Sequence, residues 1–156
     1  MAADGAHLVR LNAGLAQQGA DLLVQTLAAF ADGTIRRTPQ DHSAATYAPL
    51  LKKTDGLIDW KKPAAKIEPF IRGMSPWPGA FTFWKNTRLK IYRSEIEASA
   101  DDALPGTVLN SRPNRLIVST GDGALSILEL QSASGSRLPV SEFLRGFRIT
   151  PGEFLA

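Results

Sequence analysis

Apolar residues near the start of the chain recur at helical spacing. Leu15, Leu22, Leu23, Leu27 and Phe30 form one stripe between Asn12 and Ala31. Gly33 stands just past the last of them, where a left-handed C-cap residue is expected. The spacing predicts one helix with a packing face. Gly33 to Ser43 is polar, centred on Pro39, Gln40 and Asp41, and reads as a linker. Thr46 to Asp55 passes from apolar to basic without a clear period. Gly56 then opens a short extended run, Leu57 to Trp60. Pro63 suits the first turn of a helix continuing through Ile67, Phe70 and Ile71 to Gly73. Pro69 should kink that helix or split it into two turns, because proline has no N–H to donate.

From Ala80 the period changes to two. Phe81 and Phe83 point one way, Thr82 and Trp84 the other. After a tight turn at Asn86-Thr87, Leu89 and Ile91 share one strand face, and Arg88, Lys90 and Tyr92 share the opposite one. Further strands are predicted at Thr107–Asn110, Arg115–Thr120 and Ala124–Gln131. The last two are joined through Gly121-Asp122-Gly123, since glycine supplies positive φ without steric cost. A strand, not a helix, follows those glycines, which argues against a phosphate-cradling loop. Val140 to Arg145 reads as a short helix, and Thr150-Pro151-Gly152 turns into an apolar tail, Phe154-Leu155. About five short strands with turn signals between them predict a mainly β domain. The expected fold is a small OB-like β-barrel preceded by an N-terminal helix and linker, closure being how such a sheet loses its exposed edges. The divisions are residues 1–34 for the helical segment, 35–56 for the linker and 57–156 for the barrel.

Charge alters this picture at one place. Trp60 to Arg93 holds eight basic side chains and one acidic, Glu68. The segment therefore carries +7 in a chain whose formal total is +3, leaving −4 for everything else. Such an asymmetry suggests a surface that meets a polyanion. Lys85, Arg88, Lys90 and Tyr92 on or beside the strand face, with Lys61, Lys62 and Lys66 on the helical run before it, are the candidate contacts. The cations would take phosphates and the ring would take a base. A solvated strand face that keeps its charges for solubility accounts for the same residues.

Composition narrows the classes further. A chain of 156 residues, 44% hydrophobic and 21% charged, fits one globular domain with or without a helical extension. No apolar run approaches the roughly 18–20 residues that a membrane span needs. The N-terminus lacks the basic-then-apolar pattern of a secretory signal. Without cysteine there can be no disulfide or thiolate zinc site, which fits a reducing compartment. His7 and His42 have no carboxylate or second histidine at a ligand spacing, so no metal site is expected. Asp41, His42 and Ser43 are neighbours in sequence only, which does not make a triad. No paired carboxylates in an apolar setting and no nucleophile elbow appear, so no catalytic residue is assigned.

Six runs of the chain nevertheless follow a known order. They are DHSAATYAPLLKKTDGLIDW (Asp41 to Trp60), IRGMSPWPGA (Ile71 to Ala80), LKIY (Leu89 to Tyr92), PGTV (Pro105 to Val108), TGDGALSILELQ (Thr120 to Gln131) and EFLRG (Glu142 to Gly146). Together they resemble the linker and C-terminal domain of bacterial methionyl-tRNA formyltransferase. GADLLVQTL (Gly19 to Leu27) resembles the end of that enzyme's catalytic domain. The resemblance implies a whole enzyme that carries a formyl group from 10-formyltetrahydrofolate to the amino group of initiator methionyl-tRNA, a cytoplasmic step of translation initiation. The family's catalytic Asn-His-Asp set and its Ser-Leu-Leu-Pro stretch have no match here. By the same resemblance this chain alone is inactive, holds no cofactor and presents basic residues to tRNA. That raises the nucleic-acid reading of Arg88, Lys90 and Tyr92 above the solvated-face reading. In a whole enzyme the leading helix would dock on the catalytic domain; without it the helix would fold back on the barrel or pair with a second copy, self-association being the expectation. Sugar-nucleotide formyltransferases and the hydrolase domain of formyltetrahydrofolate dehydrogenase share the Trp-Pro-Gly element. A packing or scaffold domain of such a protein is therefore the alternative, although the linker run and Leu130-Gln131 favour the tRNA enzyme.

Overall fold

The computed structural model describes residues 8–98, 103–110 and 115–156; His7 lies outside them. They fall into two compact units, one ending at Leu51 and one beginning at Lys52.

The first unit is mostly one helix, α1 (Leu8–Ala31), which begins about two turns before the first residue of the apolar stripe, Leu15. Gly33 takes φ 68°, and the N–H of Thr34 turns back to donate to the Ala29 carbonyl at 2.9 Å, closing the helix end. The stripe is exposed, Leu22 at 64% and Phe30 at 65%. Asp41 caps the single turn His42–Ala44: its carboxylate accepts from the Ser43 N–H at 2.9 Å and the Ser43 hydroxyl at 2.6 Å. Those bonds hold the Asp41 carboxyl below its usual range. The three residues form a capped turn.

The second unit is a curled antiparallel sheet with two short helices. Its strands are β1 (Ala80–Trp84), β2 (Thr87–Glu97), β3 (Val108–Asn110), β4 (Leu116–Ser119), β5 (Ala124–Ser132) and β6 (Leu138–Pro139). They pair in the order β1-β2-β5-β4-β3, with β6 beside the far end of β5. The helices are α2 (Ala64–Gly73) and α3 (Val140–Gly146). The apolar tail joins the two edges of the sheet. On the β3 side the Val108 N–H donates to the Glu153 carbonyl and the Leu155 N–H to the Gly106 carbonyl, both at 2.8 Å. On the β1 side Phe83 and Ala156 exchange bonds of 2.8 and 2.9 Å. A Cβ at Gly106 would fall 2.5 Å from the Leu155 carbonyl oxygen, so the close approach needs glycine there. The result is a small, mainly β, OB-like domain.

Inside it Leu89 and Ile91 of β2 meet Leu116 and Val118 of β4 and Leu125 and Ile127 of β5. Burying each such side chain contributes roughly 1.5–3 kcal/mol. Ile67 and Ile71 of α2 and Phe143 of α3 join the same core. The Trp60 indole N–H donates to the Thr82 hydroxyl at 2.9 Å, and that hydroxyl donates to the Ala156 main-chain oxygen at 2.8 Å. The indole and the hydroxyl brought inside with it are thereby both paired. The β4–β5 hairpin presses on the turn before α2: the Gly121 N–H donates to the carbonyls of Trp60 and Lys62 at 2.9 and 3.1 Å. A Cβ at Gly121 would stand 1.9 Å from the Lys61 carbonyl oxygen.

Two local expectations are corrected. The β1–β2 turn is centred on Lys85-Asn86, with φ of 45° and 64°, and Trp84 pairs with Thr87. A two-residue hairpin of this hand needs positive φ at both central positions, and here two non-glycine residues supply it. Pro69 does not divide α2, which runs through it. The Ala65 carbonyl that loses its donor belongs to an exposed residue and can take water instead.

Candidate nucleic-acid interface

Because Leu89 and Ile91 of β2 face the core, the alternation turns Arg88 and Lys90 outward. Register places Phe83 opposite Arg88, Phe81 opposite Lys90, and Gln131 of β5 on the other side of Lys90. The guanidinium of Arg88 lies over the Phe81 ring, 3.7 Å from its centroid. Phe83 meets Phe81 edge-on at 5.7 Å and 89°. A cation held on a ring face keeps its orientation without an ion-pair partner. The Arg88 Nε is buried and unbonded among the described residues. The aliphatic stem of Lys90 runs beside Gly79, its Cδ and Cε 3.8 and 3.9 Å from where a Cβ would stand. Gly79 (φ 83°) ends a turn in which Ser75–Pro76 and Trp77–Pro78 are both cis and Trp77 is exposed. The stem is supported and the ammonium is carried outward.

Lys66 on α2 and Lys62 on the turn before it share a cleft with Leu57. Leu57 bridges Phe81, and the Ile58 N–H donates to the Phe81 carbonyl at 2.8 Å, so this run lies along β1. Leu57, Ile67 and Phe70 are also the apolar lining of a cleft of about 340 Å³ whose charged lining is Lys62, Lys66, Asp55 and Asp59. Lys61 is exposed on the preceding turn, its N–H donating to Asp59 Oδ1 at 3.1 Å.

Other candidates are tied into the fold. Lys85 at the β1–β2 turn pairs with Glu153 of the closing tail and sits 4.7 Å from the centre of the Trp84 ring. Glu153 also accepts from the Trp84 indole at 2.9 Å and the Thr150 N–H at 3.0 Å. The bond from Lys85 first, then that from Thr150, draws the Glu153 carboxyl below its usual range. Tyr92 donates its hydroxyl to Gln131 Oε1 at 2.6 Å, and the Arg137 guanidinium covers its ring at 4.4 Å. Arg137 is itself paired with Glu129 at 2.5 Å, which lowers the Glu129 pKa and raises that of Arg137. Arg72 is paired with Glu68 at 2.7 Å. Among the described residues Lys61, Lys62, Lys66, Arg88 and Lys90 are in no ion pair. The stacking of Arg88 on Phe81 and the contacts of Gln131 and Arg137 with Tyr92 escaped the sequence reading; for Phe81 the two-residue period held a signal, for Arg137 there was none.

Fold and surface thus define an OB-like domain with a cation-bearing outer face. Among the described residues no group of three or more His, Cys, Asp or Glu side chains could hold a metal ion, and no helix is long and apolar enough to cross a membrane. The family model described as "Formyl transferase, C-terminal domain" matches residues 50–148, and the chain belongs to that family. Among curated relatives, methionyl-tRNA formyltransferase of Solibacter usitatus is 48% identical over 96% of this chain and 47% of its own length. That of Desulforamulus reducens is 44% identical over 90% of this chain and 45% of its own. The chain therefore spans about half the length of the curated relatives it matches. Crystal structures of HypX from Aquifex aeolicus share the fold. One variant covers 85% of this chain and 24% of its own at TM-score 0.59 and 21% identity. The complex with tetrahydrofolic acid reaches 0.56 over 80% of this chain and 22% of its own, also at 21% identity.

Proposed function

We propose that this chain is the tRNA-binding C-terminal portion of a methionyl-tRNA formyltransferase, acting in the cytoplasm at translation initiation. The observation that carries the reading is the row on β1 and β2, where Arg88 stacks on Phe81 and Lys90 stands outward beside them in register. Phosphate contacts of this kind position a nucleic acid without reading its bases, as suits a domain that presents a substrate. Arg88 and Lys90 are the centre of the footprint, Lys62 and Lys66 its extension past Leu57, and Lys61 its margin. Lys85 and Tyr92 contribute at the edges, Lys85 from its pair with Glu153 and Tyr92 from beneath the Arg137 guanidinium.

Formyl transfer from 10-formyltetrahydrofolate would belong to the half of the relatives that this chain does not match, and the chain alone is inactive. Purified chain, free of any full-length enzyme, should transfer no formyl group to methionyl-tRNA; turnover would contradict this. The binding reading is tested by titrating labelled initiator tRNA with the chain at two salt concentrations. Affinity should fall steeply with salt. No affinity at either concentration would leave a packing domain of a related formyltransferase as the better account.

A further inference from the structure

We infer that the cleft beside α2 takes one unpaired nucleotide of the bound RNA, a base bearing an exocyclic amino group. The inference rests on the nucleic-acid reading above. A pure phosphate track should be lined by cations alone. This cleft instead sets Asp55 and Asp59 beside Lys62 and Lys66, so its charges cancel, and it adds Leu57, Ile67 and Phe70 as an apolar lining. Two carboxylates next to a phosphate path are repulsive unless the ligand brings hydrogen-bond donors as well as an anion. An amino-bearing base on a phosphate has both, together with a flat apolar face.

The geometry supports one occupant. A volume of about 340 Å³ lies at the small end of ligand sites, room for a single nucleotide and not for a duplex. Leu57 belongs to the cleft and to the row that runs through Phe81 to Lys90, so a strand following Arg88 and Lys90 passes the opening. The two carboxylates differ in freedom. Asp55 Oδ2 accepts the Lys52 N–H at 2.7 Å and closes the turn Lys53–Gly56. Among the described residues the Asp59 carboxylate accepts the Lys61 N–H at 3.1 Å, through Oδ1, which leaves Oδ2 to receive an amino group. Lys62 and Lys66 then hold the phosphate, and Phe70 offers its ring to the base.

The test uses fluorescence anisotropy with two labelled RNAs, a blunt hairpin and the same stem carrying a short single-stranded 3′ tail of adenine and cytosine. Asp59→Asn and, separately, Phe70→Leu are compared with the parent, thermal unfolding serving as the check on folding. Asparagine still accepts the Lys61 N–H through its oxygen, and leucine keeps apolar bulk. Each variant should lose about fivefold or more for the tailed RNA, the scale of one stacked or paired base, with no loss for the blunt hairpin, which the Asp59 variant should bind slightly better because one repulsive charge is gone. The salt slope should stay the same, since the phosphate-binding cations are all kept. Replacing the tail by uridines should lower parent affinity towards the blunt value. Equal losses on both RNAs, or no loss on either, overturn the inference while leaving the footprint standing. A parent that binds neither RNA overturns the footprint and the inference together.

Discussion

Arg88 stacks on Phe81 across the β1–β2 pair, its guanidinium carbon 3.7 Å from the ring centroid, although neither residue is the other's direct register partner. The diagonal arrangement fixes a cation in a half-buried position without neutralising it. This separates Arg88 from Lys85, Arg72 and Arg137, whose charges are each matched by a glutamate of the fold.

If the ring orients the guanidinium, removing its π face should matter even where apolar bulk is kept. Phe81→Leu should weaken tRNA binding by roughly two- to fivefold, the range of one partly exposed cation–π pair. Phe83→Leu should do less, because no cation lies on that ring among the described residues. Anisotropy titrations of the two variants measure this. Equal effects would mean that the stacking does not prepare Arg88 for RNA.

The closing tail should loosen in acid. Glu153 and Glu129 both have folded pKa values drawn below the ordinary glutamate range by bonds from Lys85 and Arg137. A depressed carboxyl contributes stability above its unfolded pKa, about 4.3, and loses it as pH falls through the lower folded value. Thermal stability should therefore decline as pH drops below about 4.3. Glu153→Gln should cost about 1 kcal/mol or less at neutral pH, since Lys85 is mostly exposed and its pair is screened by solvent, and should flatten the decline. Melting curves between neutral and acid pH check both; an unchanged slope in the variant would remove Glu153 from the account.

Much of this architecture could be read from local pattern, and the parts that could not share a cause. The alternation that buries Leu89 and Ile91 and exposes Arg88 and Lys90 was plain from residue spacing. So were Gly33 as a helix stop and the glycine hairpin between β4 and β5. The β1–β2 turn was misplaced by one residue because Lys85-Asn86 adopts positive φ without a glycine to announce it. Phe154-Leu155 reads in sequence as an apolar tail, since a segment held only by its strand partners leaves little trace in so short a run. The pairs Lys85–Glu153 and Tyr92–Arg137 join distant parts of the chain, and only the fold brings them together. Charge counting therefore overstated the free cations.

The stripe of α1 predicts association. Leu15, Leu22, Leu27 and Phe30 are each more than half exposed, an apolar row of the kind that marks a contact surface. We propose that it docks on the part of the longer relatives that this chain does not match, or on a second copy when that part is missing. Sedimentation velocity should show the purified chain self-associating with concentration. Leu22→Lys with Leu27→Lys should return it to a monomer. A parent that stays monomeric at high concentration would contradict pairing through α1.

The footprint itself is tested most directly by the salt dependence of tRNA affinity in the double variant Arg88→Ala, Lys90→Ala. Both side chains face outward and neither is in an ion pair among the described residues, so the fold should survive, at a small cost in stability from the lost Arg88–Phe81 stack. Removing one cation from a phosphate should reduce the slope of log affinity against log salt by roughly 0.7–0.9. The double variant should thus bind more weakly and show a slope shallower by about 1.4–1.8. Arg115→Ala is the control, because Arg115 is already bonded to Glu97 at 2.5 Å, and it should change the slope little. If the double variant keeps the parent's affinity and slope, the tRNA does not lie across β1 and β2.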